Sequence, residues 1–162
     1  MIASIQSPSA ALEIEPVFSW PTRVYWEDTD AGGVVYHAQY LAFLERARTE
    51  WMRARGYGQD LLRRDFDLVF AVRAMTLDFL KPARLDDALA VDASLRDCRR
   101  ASATFVQAIR RDGQLLVTAS VRVAALDAST FRPRAIPQSL YEQLKSLEQA
   151  SRSSSQSPSH AP

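Results

Sequence analysis

The chain has 162 residues, 47% of them apolar, which is about one domain's worth of sequence with side chains enough for one core. Its 20 basic and 19 acidic residues nearly cancel, which argues against a dedicated nucleic-acid binder, since such a protein carries a basic excess on one face. A single cysteine, Cys98, leaves no intrachain disulfide, and without a spaced Cys/His cluster no structural metal site is expected. No apolar run approaches the roughly 20 residues that cross a bilayer. The first residues lack a basic segment and carry Glu13 and Glu15, so they do not read as a signal peptide. A soluble, cytoplasmic protein with no integral membrane segment and no nucleic-acid partner is the expectation.

Residues 1–16 are rich in Ser, Ala and Pro and are expected to be disordered. Phe18–Trp26 has β-forming residues, with Pro21 confining its start to an edge or an irregular segment. A loop follows over Glu27–Tyr36, then a helix from about Ala38 to Arg55. Tyr40, Leu44, Ala47 and Trp51 recur at helical spacing, and Leu41, Phe43 and Met52 widen the stripe. Glu45/Arg48 and Glu50/Arg53 are spaced to pair on the exposed side. Gly56 is placed to end the helix in a left-handed cap. At about 1.5 Å per residue the helix is roughly 25 Å long, enough to cross a four- or five-stranded sheet.

Beyond it, Gln59–Asp65 reads as a short helical turn and Leu68–Leu80 as a strand apolar on both faces. Ala88–Arg96 alternates, with Leu89, Val91, Ala93 and Leu95 on one face. Ser102–Arg110 is β-like, and Asp112-Gly113 supplies a tight hairpin turn into Leu115–Asp127, which alternates again. Pro133 and Pro137 break the chain before an amphipathic helix over Leu140–Leu147, and residues 150–162 form a Ser/Pro-rich tail expected to be disordered, His160 included. This order is an α+β layout, one domain over residues 17–149, with the helix stripe buried against a curved antiparallel sheet. Leu116, Ala124 and Leu126 fall on the opposite sheet face, which suggests burial in an oligomer, with sheet edges paired into one continuous dimer sheet.

Two residues stand out for chemistry. Asp30 follows Glu27, Asp28 and Thr29 and precedes Ala31-Gly32-Gly33, where the backbone can approach a ligand closely. Alone it reads as a turn carboxylate. His37 sits among Val34, Val35 and Tyr36 just before the helix and is expected to be partly covered. Taken with Asp30 it lies at a helix N-terminus, whose unpaired N–H groups and partial positive charge suit a carbonyl oxygen that gains charge in acyl transfer. Glu27 and Asp28 are assigned turn or surface roles. Cys98, in the charged run Arg96–Arg100, reads as an incidental thiol in a turn.

The run Arg23–His37, with Tyr40-Leu41 and Glu45–Arg48, resembles the hotdog-fold acyl-CoA thioesterases, and more narrowly the Tol-Pal-associated, YbgC-like branch of the 4-hydroxybenzoyl-CoA thioesterase superfamily. The likeness continues at Val72–Thr76, at Lys81–Asp87 and at Pro133–Pro137, spanning roughly residues 20–145. It implies a hotdog fold, a central helix wrapped by the sheet, in homodimers or homotetramers with sites at subunit interfaces. It implies hydrolysis of short-chain or aromatic acyl-CoA thioesters, with Asp30 as nucleophile or general base. His37 assists at the carbonyl, Gly33, Val34 and Tyr40 contact substrate, and Arg99 and Arg100 meet the coenzyme A phosphates. No cofactor is implied, coenzyme A being part of the substrate; an acyl carrier protein is a further candidate partner. Many relatives carry Tyr-Tyr-Glu-Asp-Thr-Asp, and here the second Tyr is Trp26, whose indole donates a hydrogen bond but cannot accept one. Two other readings stay open: a non-catalytic acyl-binding adaptor in a cell-envelope complex, and a hotdog hydratase or dehydratase.

Overall fold

The computed structural model describes residues 18–154. The expectations for residues 1–16 and for His160 lie outside them. Five strands, β1 (Phe18–Arg23), β2 (Leu68–Phe79), β3 (Ala88–Arg99), β4 (Ser102–Arg111) and β5 (Gln114–Asp127), form one antiparallel sheet in the order β1-β3-β4-β5-β2. Three helices join them: α1 (Gln39–Arg53), α2 (Gln59–Phe66) and α3 (Gln138–Ser154). Pro21 sits in β1 at one edge, where a missing N–H costs no ladder bond on the open side. Together α1 and the sheet around it make the hotdog arrangement.

The predicted stripe is what α1 buries. Tyr40, Phe43, Leu44, Ala47 and Trp51 are all buried against the sheet, and Trp51 meets Phe105 of β4 edge-on at 5.2 Å between ring centroids. Each such aromatic or aliphatic side chain contributes about 1.5–3 kcal/mol when fully buried, so this face anchors the helix. Its end is a Schellman cap: Gly56, at φ +83°, donates to the Arg53 carbonyl at 3.0 Å, and Tyr57 to the Met52 carbonyl at 3.0 Å. The Asp112-Gly113 hairpin has both residues at positive φ, the conformation that matches the twist of the flanking strands.

Several expectations are corrected by the structure. Glu50 and Arg53 pair as expected, but Arg48 does not join Glu45 on the solvent side. It is 7% exposed and its Nη1 donates to Gln107 Oε1 of β4 at 2.9 Å. Leu116 does not face outward. The register slips between Ile109/Val117 and Arg110/Leu115, so Leu116 is an extra residue in β5 and is fully buried, while its carbonyl accepts from Leu80 and Lys81. A similar slip in β3 after Leu95 turns Cys98 inward. Cys98 therefore ends a strand rather than lying in a turn, and burial pushes its thiol up to about 11, which keeps it protonated and unreactive. Gln59–Phe66 is a full helix, closed by Asp67 in the left-handed region. Finally, α3 extends past Leu147 to Ser154, and its Glu148, buried on β3, accepts the Cys98 N–H at 3.0 Å.

Candidate active site

The site is built where β1 hands the chain to α1. Val24 is held on both sides by the segment before β3: its N–H donates to Asp87 O at 3.0 Å and its carbonyl accepts from Asp86 N at 3.1 Å. The chain then makes a single 3-10 turn over Trp26–Asp28. Asp28 is not a surface residue. It is 3% exposed, its Oδ2 accepts the Tyr25 N–H at 2.8 Å, and its carbonyl accepts the Tyr36 N–H at 2.8 Å. One acid thus ties both ends of the loop, a satisfied role that its position two residues before Asp30 does not announce.

Within that clamp Thr29 and Val35 form an antiparallel bridge, and the Asp30 N–H donates to Val34 O at 2.9 Å. The Asp30 carbonyl accepts from Gly33 at 3.0 Å, and its Oδ1 from the Gly32 N–H at 2.8 Å. Gly33 makes the turn at φ +75°, a backbone state that other residues adopt only with strain. Asp30 is exposed, with a carboxylate held by one backbone donor and otherwise free to act.

Val35 then docks on the segment after β2, donating to Ala83 O at 2.9 Å, and Ala83 in turn donates to the Tyr40 hydroxyl at 2.9 Å. Burial pushes the Tyr40 phenol above its ordinary value; the Ala83 N–H opposes this, and the charges of Asp87 and Asp30 add to the rise. The ring of Tyr40 lies 5.7 Å from that of Phe79. Asp87 is fixed by Arg111 at 2.6 Å and by the Arg84 N–H at 2.8 Å. Burial works to raise its carboxyl, and these two donors outweigh it and hold it below the ordinary range.

A cavity of about 280 Å³ opens here, lined by Val35, His37, Tyr40, Phe79, Leu80, Lys81 and Pro82. His37 reaches it from the start of α1, its ring 4.5 Å from Tyr36, and is exposed in the single chain rather than partly covered. Ala38, the helix N-cap, supplies no side-chain acceptor, and among the described residues the N–H groups of His37 and Ala38 donate to none. They belong to the positive end of α1, and His37 lines the opening.

Of the residues singled out from sequence, His37 and Tyr40 line this cavity, and Asp30, Gly33 and Val34 belong to the tied loop that runs into it through Val35. Arg99 and Arg100 do neither. Arg99 closes the 12-residue β3 at the end away from Ala88, and Arg100 follows it. Arg99 pairs there with Asp97 at 2.9 Å, and Arg100 bonds Gln138 at 2.8 Å and lies over the Tyr141 ring. Sequence reasoning passed over Phe79, Lys81 and Pro82 as lining residues, because their place at the site depends on β2 ending beside α1. The one signal was the position of Lys81-Pro82-Ala83 directly after a strand.

The Thioesterase-like superfamily profile matches residues 24–144. The acyl-CoA thioester hydrolase YbgC of Escherichia coli O6:H1 is 45% identical over 130 residues, which is 80% of this chain and 96% of that protein. The acyl-CoA thioesterase YbgC of Haemophilus influenzae is 44% identical over 120 residues, 74% of this chain and 88% of its own length. Among solved structures, a probable thioesterase from Bartonella henselae superposes with a TM-score of 0.72 at 36% identity, covering 75% of this chain and 99% of that one. With a profile match over most of its length and these identities behind it, the chain belongs to the thioesterase-like superfamily and, within it, to the YbgC family of thioesterases.

Proposed function

We propose that this chain hydrolyses acyl-CoA thioesters with short-chain or aromatic acyl groups, releasing the free acid and coenzyme A. The observation that supports the reading is the tied loop, which leaves the Asp30 carboxylate exposed in the segment before α1 and runs through Val35 into the cavity lined by His37 and Tyr40. The thioester carbonyl sits against the N–H groups that open α1, with the His37 side chain as a further donor. As charge builds on the carbonyl oxygen, these preorganised donors stabilise it. Asp30 then acts in one of two ways. It attacks the carbonyl carbon, expelling the thiolate and leaving a mixed anhydride that water cleaves, or it takes a proton from a water that attacks directly.

The assembly proposed is a homodimer through β2, paired into a homotetramer. β2 is an edge strand, and Val72, Phe79 and Leu80 on or just after it are large apolar side chains left exposed in the single chain. In such an assembly the coenzyme A phosphates meet Arg99 and Arg100 of another protomer. No cofactor beyond the substrate's own coenzyme A enters, and an acyl carrier protein is a second thiol carrier to try. No helix among the described residues is long and apolar enough to cross a membrane.

The test is release of free thiol from a panel of acyl-CoAs by native chain and Asp30→Asn. Positioned acid–base help is worth about 10²–10⁴ in rate, so kcat should fall by that much with Tm unchanged. Near-native turnover of the variant refutes the assignment. Turnover in 18O-water separates the routes: label entering the Asp30 carboxylate marks direct attack. Acyl binding without release supports an adaptor instead, and enoyl hydration without release a hydratase.

A further inference from the structure

A second cavity, of about 320 Å³, opens between α1, α2 and β2. Arg48 lines it, 11 residues beyond His37 and so about 16 Å further along α1. Its walls are largely apolar, with Met52, Leu62, Phe70 and Phe105 among them, and they include Val72, which also stands on the β2 seam of the proposed dimer. Into this setting the fold puts the buried charge of Arg48. Among the described residues its one hydrogen bond goes to Gln107, a neutral acceptor whose own Nε2 is anchored on the Leu44 carbonyl at 3.0 Å. Among the described residues Arg48 has no ion pair. The other polar groups facing it do not change this. Gln59 and Thr49 bond each other, and Glu45, one turn back and exposed, acts on the guanidinium only from a distance.

A guanidinium cannot shed its proton to escape burial. The nitrogens of Arg48 that bond no protein group are not sealed in apolar contact but reach the cavity, where an anion can meet them. Here most of the N–H fork is unused and borders a cavity with room for a ligand. We infer that this cavity is a binding site for a carboxylate at the end of an apolar chain, with Arg48 reading the carboxylate and the walls taking the chain. The planar fork matches a carboxylate with two parallel bonds. The volume lies at the lower end of the about 300–1,000 Å³ usual for ligand pockets, which suits a small acid. Two sources share this chemistry: a free acid, and the far carboxyl of a dicarboxylic acyl group.

The experiment is calorimetric titration of the full chain with octanoate and with octanol. Octanoate should bind at least about tenfold more tightly, the order expected for charge-assisted bonds. Arg48→Met should lose that preference and Arg48→Lys keep part of it. Met52→Trp, from a half-buried position, should fill the cavity and abolish octanoate binding without touching the charge, so the test survives if Arg48→Met fails to fold. Equal affinity of native chain for the two ligands overturns the inference. So does undiminished octanoate binding by folded Arg48→Met, or a dimer whose interface covers Arg48 and excludes octanoate.

The two sources separate by kinetics. If the occupant is an acyl end, kcat/KM for a fourteen-carbon ω-carboxyacyl-CoA, long enough to run the roughly 16 Å from His37 to Arg48, exceeds that for tetradecanoyl-CoA, and Arg48→Met erases the difference. If the ratio is near one while octanoate still binds, the free acid is the occupant. Octanoate binding is read without turnover, so failure of the thioesterase assignment would leave it intact.

Discussion

Two acids at opposite ends of β3 are treated in opposite ways. Glu148, packed against the Cys98 end, is 4% exposed and accepts from the Cys98 N–H, from Lys145 at 2.8 Å and from Arg152 at 2.9 Å. Asp30, by the Ala88 end, is exposed, and its carboxylate takes a single bond, from Gly32. The first has both carboxylate oxygens engaged and so contributes to stability. The second has its backbone pinned and its carboxylate left open to solvent, which leaves a reactive group available. Asp28, two residues from Asp30, follows the pattern of Glu148 rather than that of its neighbour.

This contrast can be broken at several points. The largest effect expected is that of Asp30→Asn, a loss of about 10²–10⁴ in kcat with the thermal midpoint unmoved. If the variant instead melts early, Asp30 is structural and the contrast fails. Glu148→Ala should do the reverse. It strands the buried Cys98 N–H at a cost of about 1–3 kcal/mol, lowering Tm by several degrees in a thermal melt while kcat/KM of the surviving native fraction holds. Asp28→Ala should resemble Glu148→Ala in stability, for the same reason, yet also lose turnover because the loop carrying Asp30 loosens.

Gly33→Ala places a side chain at φ +75° and should cost about 1–2 kcal/mol; an unchanged melt would mean that the turn relaxes freely. The smallest effect is in pH dependence. Burial acts to raise the Glu148 carboxyl, but the Lys145 ammonium, the Cys98 N–H and Arg152 together hold it below its ordinary value. Its stabilisation is therefore complete above the unfolded value of about 4.3 and is lost as pH falls through the lower folded value. The Tm gap between native chain and Glu148→Gln should narrow below about pH 4.3. A gap constant down to strong acid would show that the carboxylate charge adds nothing.

Much of this was legible in local pattern. The α1 stripe, the Gly56 cap, the Asp112-Gly113 hairpin and the alternation of β3 and β5 rest on neighbours within a turn or a strand, and the structure agrees with each. Asp30 and His37 were legible as candidates because a short loop before a helix cannot separate them far. Other features depended on distant partners. Arg48 reads as a surface charge until Gln107, 59 residues on, accepts from it. Leu116 and Cys98 read outward or into a turn because one extra residue in a strand reverses every later side chain, and no local preference marks where it falls.

The sequence by itself determined the periodicities, the caps and turns, and the chemical types present at the loop before α1, since these follow from the conformational preferences of adjacent residues. Only the tertiary structure decided which acid is buried and which is free, which cation lines a cavity, and that Arg99 and Arg100 are not among the residues lining the His37 cavity. Those outcomes depend on how strand register and the docking of Val35 on Ala83 bring remote groups into bonding range or deny them a partner. The desolvation of a charge is set by what surrounds it in space and not by its neighbours along the chain.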